Sequence, residues 1–218
     1  MINILDCKNL NYLNKLKAIL NKRRFARKIN TNIASQIVNE IKKNKQKALL
    51  KYEKKFSKNN KIKTTTKEIN KSIKTLDPKI KKSIDFAYSR ILKFHSLQKI
   101  KNIKFVDKYK NKIEYKYCPI ESVGIYVPIN LPSTLLMNAI PAKKIAKVKR
   151  VVLASPRQNG KLNPAIMYAA KKCGISEIIS AGGSQAIASL AYIQKVNKIV
   201  GPGNDYVARA KREVFGDV

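Results

Sequence analysis

Three kinds of residue are scarce in this chain of 218 amino acids, and each scarcity closes off a class of function. There is one histidine, His95, and there are three cysteines. Cys7, Cys118 and Cys173 are far apart with no C-x-x-C pair, which argues against a disulfide framework and against a zinc ribbon. They read as reduced thiols. The 13 acidic residues are spread thinly among lysines. A zinc site needs three or four converging His, Cys, Asp or Glu side chains, and these spacings supply no metal ligands. No apolar run approaches the roughly 20 residues needed to span a bilayer. Residues 1–8 lack the apolar core and small-residue cleavage site of a secretory signal. The expectation is a cytoplasmic protein with no membrane partner.

What is abundant is positive charge. Lys and Arg number 47, giving a formal net charge of +34. A field of that strength attracts nucleic acid and other polyanions without specificity. Only eight of the 47 are arginine, the better bidentate partner of phosphates and bases. The lysines also travel with Ile and Asn along the whole chain. All three have A/T-rich codons, so genome composition is a sufficient source of the charge. Hydrophobic residues make up 44% of the chain, enough for a real core.

Up to about residue 102 the pattern is helical. Ile33, Ile37, Val38, Ile41, Ala48, Leu49, Tyr52 and Phe56 recur at three- and four-residue spacing, predicting a lysine-rich amphipathic helix. Thr65-x-x-Glu68 predicts a capping box before a short helix from Ile69 to Leu76. Asp77-Pro78 predicts an N-cap with proline at the first helical position, and the helix that follows should turn Ile80, Ile84, Ala87, Ile91 and Phe94 inward.

From about residue 103 the period changes. Phe105 to Tyr109 and Ile113 to Tyr117 alternate around Lys110-Asn111, a hairpin signal. Short apolar runs then alternate with helical stretches. The strands are Val123–Val127, Val151–Ala154, Glu177–Ser180 and Lys198–Val200. The helices run from Ser133 or Thr134 to about Val148, from Pro164 to Cys173 with Gly174 as the stop, from Gly182-Gly183 through Leu190, and from Tyr206 to Val214. Such repetition implies a parallel sheet with crossover helices. The predicted class is therefore α/β: a helical amino-terminal segment, residues 1–102, followed by an incomplete Rossmann-like parallel sheet, residues 103–218.

Ligands of open α/β sheets bind beyond the carboxyl ends of the strands. Three turns there carry suggestive residues: Gly124-Ile-Tyr126-Val-Pro128, Gly182-Gly-Ser-Gln185-Ala and Gly201-Pro-Gly-Asn204. Glycines let backbone N–H groups approach a phosphate at a helix N-terminus. Gln185 and Asn204 both donate and accept hydrogen bonds, and Tyr126 offers a flat face with a hydroxyl. None of the three is the G-x-G-x-x-G fingerprint, because Tyr206 stands where the third glycine would be. On spacing alone the signals are weak, and ordinary structural turns are the better explanation.

Longer stretches are more specific. Val123-Gly-Ile-Tyr-Val-Pro128, the segment from Pro132 to Lys143, the segment from Gly182 to Tyr192, the segment from Lys195 to Asn204 and the closing Ala210–Asp217 together resemble the histidinol dehydrogenase family. The likeness is dense from about residue 120 and weaker before it, where residues 41–56 resemble the family's early helix. The resemblance implies NAD-dependent, zinc-requiring oxidation of L-histidinol to L-histidine, the last step of histidine biosynthesis, by a homodimer. It makes Tyr126, Gln185 and Asn204 the NAD-contacting positions. The chain also departs from the family. Ile129-Asn130-Leu131 replaces a glycine pair and a longer segment after Pro128, which weakens the expected NAD affinity. A second shortening falls between Tyr192 and Lys195. The family's zinc ligands, substrate-contacting serine and Glu-His acid–base pair lie beyond the position matching Val218. No catalytic residue is therefore assigned here, and the isolated chain is expected to be inactive unless a complementary carboxy-terminal chain rebuilds the site. Competing expectations are a non-catalytic basic protein that binds polyanions and an NAD-sensing partner of a full-length homologue.

Overall fold

Local chemistry sets most element boundaries in the computed structural model, which describes residues 5–25, 32–158 and 160–218. Helix α1 (Tyr12–Phe25) belongs to a separate amino-terminal unit and exposes Leu13, Leu16 and Leu20. The second unit runs from Asn32 to Val218. Its first helical element, α2 (Asn32–Ser57), is two helices joined at a kink where Lys45 has φ 46, rather than the single helix expected; Ile37, Val38 and Ile41 are buried before the kink and Ala48, Leu49 and Tyr52 after it. Helix α3 (Thr66–Lys74) starts at the expected capping box: the Thr65 side chain accepts from Glu68 N–H, and the Glu68 carboxylate accepts from Thr65 N–H. Helix α4 (Pro78–Ser96) starts at Asp77, whose carboxylate accepts from Lys79 N–H.

A two-stranded hairpin follows, β1 (Ile103–Val106) and β2 (Lys112–Tyr115), paired antiparallel. Its turn is tied by Asp107, which accepts from the N–H groups of Tyr109 and Asn111. The rest is the α/β repeat: β3 (Ser122–Tyr126), α5 (Pro132–Ala139), β4 (Arg150–Ala154), α6 (Pro164–Cys173), β5 (Glu177–Ile179), α7 (Gly183–Tyr192), β6 (Lys198–Val200) and α8 (Asp205–Glu213). Gly174 ends α6 at φ 79, a left-handed cap that glycine adopts without strain.

The four strands β3 to β6 form one parallel sheet in the order β5-β4-β3-β6. Counted from β3, that order is 3-2-1-4, the Rossmann arrangement, with the switch point between β3 and β6. Alternate residues point to opposite faces of a strand, and each face has its own core. Val152 and Ala154 of β4 join a cluster with α2, α7 and α8, while Val151 and Leu153 join a cluster with α3 to α6. Both faces are thus covered by helices, as a parallel sheet requires. The outer edge of β5 is covered by the link between α2 and α3, through the Lys63–Ile179 bridge and the Thr64 N–H to Ile178 carbonyl bond. Among the described residues, β6 pairs only with β3.

Three further expectations need correction. The helix expected to continue to Val148 becomes a π-helical turn at Ile140–Ile145. Pro141 has no N–H to continue the α-ladder, and Ala146 N–H reaches back five residues to the Pro141 carbonyl. Ile80 and Phe94 of α4 are exposed rather than inward. Only the middle of that helix, Ile84 with Ala87 and Ile91, lies over the neighbouring core, so its ends overhang. Ile33 and Phe56 fit the stripe of α2 by spacing but are also exposed, at 45% and 51%. The surface they face is the wall of a cleft.

Candidate functional site

Two concave regions lie at the carboxyl end of the sheet. The larger, about 850 Å³, is lined by Glu68, Lys71, Arg157 and the start of α6. It contains none of the three residues singled out in the sequence. The second, about 440 Å³, is lined by Ile33, Ile37, Phe56, Pro156, Gly182, Gly183, Gln185, Asn204 and Tyr206. It gathers two of the three predicted residues and lies beyond the carboxyl ends of the strands at the switch point between β3 and β6, the place at which open α/β sheets take their ligands. For that reason it is the candidate site. Its volume and mostly apolar walls with a few polar groups suit an organic ligand.

The floor is built by close backbone approach. Gly201, just after β6, has φ +116, and a Cβ there would sit 2.0 Å from the Tyr126 carbonyl oxygen. Only glycine lets the two strand ends come this near. Lys211 of α8 then donates to the Gly201 carbonyl at 2.5 Å. The chain leaves this turn and enters α8 through Asn204, whose Oδ1 accepts from Val207 N–H at 3.1 Å. The Asn204 side chain is thus an N-cap as well as part of the cleft wall.

Tyr126 lies below the cleft, 6% exposed. Its hydroxyl accepts a long hydrogen bond from Gly183 N–H at 3.4 Å. Burial pushes the phenol's pKa up; the Gly183 bond opposes this and the charge of Glu53 adds to it. Gln185, on the first turn of α7, is 5% exposed. Its Nε2 donates to Glu53 Oε1 at 3.0 Å, and Gly182 N–H donates to the same oxygen at 3.0 Å. The α2 backbone is stitched to the same loop: Asn59 N–H bonds the Glu53 carbonyl, and Asn59 Nδ2 donates to the Ser180 carbonyl at 2.9 Å.

Gln185 and Asn204 therefore share one cleft, with Tyr126 one hydrogen bond beneath it. The sequence pattern does not single out Glu53, Phe56, Pro156 and Tyr206 as members of the site. Glu53 did carry a signal, since a carboxylate at that position falls within the apolar stripe of Leu49, Tyr52 and Phe56.

A dinucleotide fits this cleft in part. Apolar walls suit an aromatic ring, and the carboxamides of Gln185 and Asn204 suit hydroxyl or amide groups. Zinc does not fit. Among the described residues no three His, Cys, Asp or Glu side chains converge. His95 is half-buried and bonds Gln98, Cys7 and Cys118 are exposed, and Cys173 is buried.

The sheet order defines the class: a Rossmann-like α/β protein, with a candidate ligand cleft at the carboxyl edge of the sheet. The family follows from comparison with known proteins. The family model for histidinol dehydrogenase matches residues 21–218, and the chain belongs to that family. It is 57% identical over 225 residues to the histidinol dehydrogenase of Pelagibacter ubique (strain HTCC1062), covering 100% of this chain and 52% of that protein. It is 43% identical to the histidinol dehydrogenase of Campylobacter jejuni (strain RM1221), covering 86% and 45% respectively. The crystal structure of histidinol dehydrogenase from Elizabethkingia anophelis superposes with a TM-score of 0.79 at 37% identity, covering 85% of this chain and 45% of that one. The chain thus spans about half the length of the curated relatives it matches. Among the described residues no helix is long and apolar enough to cross a membrane.

Proposed function

We propose that this chain forms the dinucleotide side of a histidinol dehydrogenase, binding NAD through Gln185 and Asn204 with Tyr126 supporting the floor. The observation that carries this is the meeting of Gln185 and Asn204 in one cleft at the switch point of the sheet. When NAD is bound, the chemistry it supplies is acceptance of a hydride from an alcohol.

The chain's own residues bind and orient. The apolar walls exclude water from one face of the ligand, and the two carboxamides fix its rotation. Oxidation of an alcohol also needs a base for the hydroxyl proton. Among the described residues, none of the side chains lining the cleft is a carboxylate, histidine or lysine. Binding without turnover is therefore the expected behaviour of these 218 residues alone, and zinc and acid–base groups would come from additional polypeptide. The exposed apolar surface of α4 and the hairpin, including Phe86, Phe94, Phe105, Ile113 and Tyr115, supports a protein partner, either a second copy or a complementary chain. The competing basic-protein function rests on net charge alone and predicts steeply salt-dependent binding to nucleic acid.

The test is titration calorimetry with NAD on the folded chain, its fold verified by circular dichroism. Saturable binding is expected, weakened about 3- to 10-fold by Gln185→Ala and by Asn204→Ala, the range for losing one hydrogen bond. No heat at millimolar NAD from a folded sample would overturn the proposal.

A further inference from the structure

Among the described residues, Glu53 is the only carboxylate that is fully buried, at 0% exposure. Its Oε1 takes both hydrogen bonds, from Gly182 N–H and Gln185 Nε2, while Oε2 is buried with no partner. Burying a carboxylate is costly unless its oxygens are satisfied, so this half-satisfied arrangement does not serve the stability of the fold well. It does constrain the cleft. A carboxylate only accepts hydrogen bonds, so Gln185 must turn its NH₂ inward. Its carbonyl oxygen, which accepts no hydrogen bond from the described residues, is left for a ligand.

Resting on the proposed dinucleotide site, we propose that Glu53 is a positioning residue that makes Gln185 an acceptor for an uncharged donor group of the ligand, a ribose hydroxyl or carboxamide NH₂. The same contact decides what does not bind at this point. Gly182 caps the N-terminus of α7, where backbone N–H groups and the helix dipole would otherwise favour a phosphate. Glu53 occupies the Gly182 N–H and brings negative charge to that end of the helix. Phosphate is therefore excluded beside Gln185, and the glycine pair serves close packing rather than phosphate cradling.

The experiment follows the Gln185 side-chain amide by ¹⁵N NMR on the whole chain, assigning its resonance pair through Gln185→Ala. In the wild type the pair should exchange slowly with solvent. Glu53→Met fills the same space without an acceptor and should speed that exchange at least about tenfold, the order expected when a buried hydrogen bond of this kind is removed. Glu53→Gln keeps an acceptor in place and should restore slow exchange. If Glu53→Met does not fold, Glu53→Asp withdraws the oxygens by one methylene and should speed exchange in the same way. NAD titration adds a double-mutant cycle. Glu53→Met should weaken NAD binding in the wild-type background and have no further effect in Gln185→Ala, because the two act as one unit. Unchanged exchange in the Glu53 variants, or equal losses in both backgrounds, would overturn the positioning role. Protection released by Glu53→Met in a chain that does not bind NAD would uphold the positioning role and sink the dinucleotide function.

Discussion

Replacing Gly201 with alanine tests whether the cleft floor depends on the contact between β6 and β3. Two costs act at this position. The backbone has φ +116, a region where a side chain costs roughly 1–3 kcal/mol. The added Cβ also meets the Tyr126 carbonyl oxygen at 2.0 Å, so one strand end must move. Gly216 provides a control that separates the two. Its φ is +91, and a Cβ there meets nothing within 4 Å. Gly216→Ala should therefore show the backbone cost alone, about 1–2 kcal/mol. Gly201→Ala should lose about 2–3 kcal/mol more, the range for forcing a group into a packed site. The assay is urea unfolding followed by circular dichroism, read as a shift of midpoint at constant slope. Gly201→Ala should also weaken NAD binding, since the displaced turn carries Asn204. Equal losses for the two variants would refute the idea that β6 and β3 meet too closely for a side chain.

Two further outcomes follow from local electrostatics. Burial pushes the Glu68 carboxyl up, but the Thr65 N–H, the Lys61 ammonium, the Thr65 hydroxyl and the Arg157 charge outweigh it and hold it at about 2 against an ordinary 4.5. A carboxyl depressed in the folded state stabilises the fold above its unfolded value, and that stability is lost as pH falls from about 4.5 towards 2. Solvent contact screens the effect to on the order of 1 kcal/mol. Urea midpoints at pH 6 and pH 3 should fall less in Glu68→Gln than in wild type; equal falls would remove Glu68 from the account. Burial pushes the Cys173 thiol up to about 11. Alkylation at pH 8 should label the exposed Cys7 and Cys118 and spare Cys173 until urea unfolds the chain. Rapid labelling of Cys173 in the folded state, read by mass spectrometry, would contradict its buried position.

Features closed by neighbours in sequence were readable in advance. The Thr65–Glu68 capping box, the Asp77-Pro78 start and the Gly174 stop each satisfy backbone groups within four residues, so residue type alone announces them. The alternation of strands and helices after β3 was readable for a similar reason, since each run carries its own period. Features closed at long range were not. Glu53 meets partners 129 and 132 positions away; its place in an apolar stripe marks it as unusual, but nothing near it in sequence names those partners. Periodicity also counts apolar residues without saying what covers them. Ile33 and Phe56 belong to the stripe of α2 by spacing, yet they extend past the α7 contact and stand in the cleft wall.

The same distinction applies to the candidate cleft. The groups that hold a ligand come from turns at one edge of one sheet, and the sheet order alone brings Gly182, Gln185 and Asn204 together. Among the described residues no group of metal-ligating side chains converges, the single histidine is a half-buried residue of α4 bonded to Gln98, and several acids are paired away from the cleft. Asp85 bonds Tyr168 and Lys172, Glu40 bonds Tyr52 and Lys51, and Glu213 pairs with Arg209 and Ser35. The hairpin points the same way. Its two four-residue strands are exposed on both faces, and an isolated hairpin is marginal in water. Burial of its exposed apolar residues Phe105, Ile113 and Tyr115 against a further polypeptide surface would stabilise it, as the proposed partner surface requires.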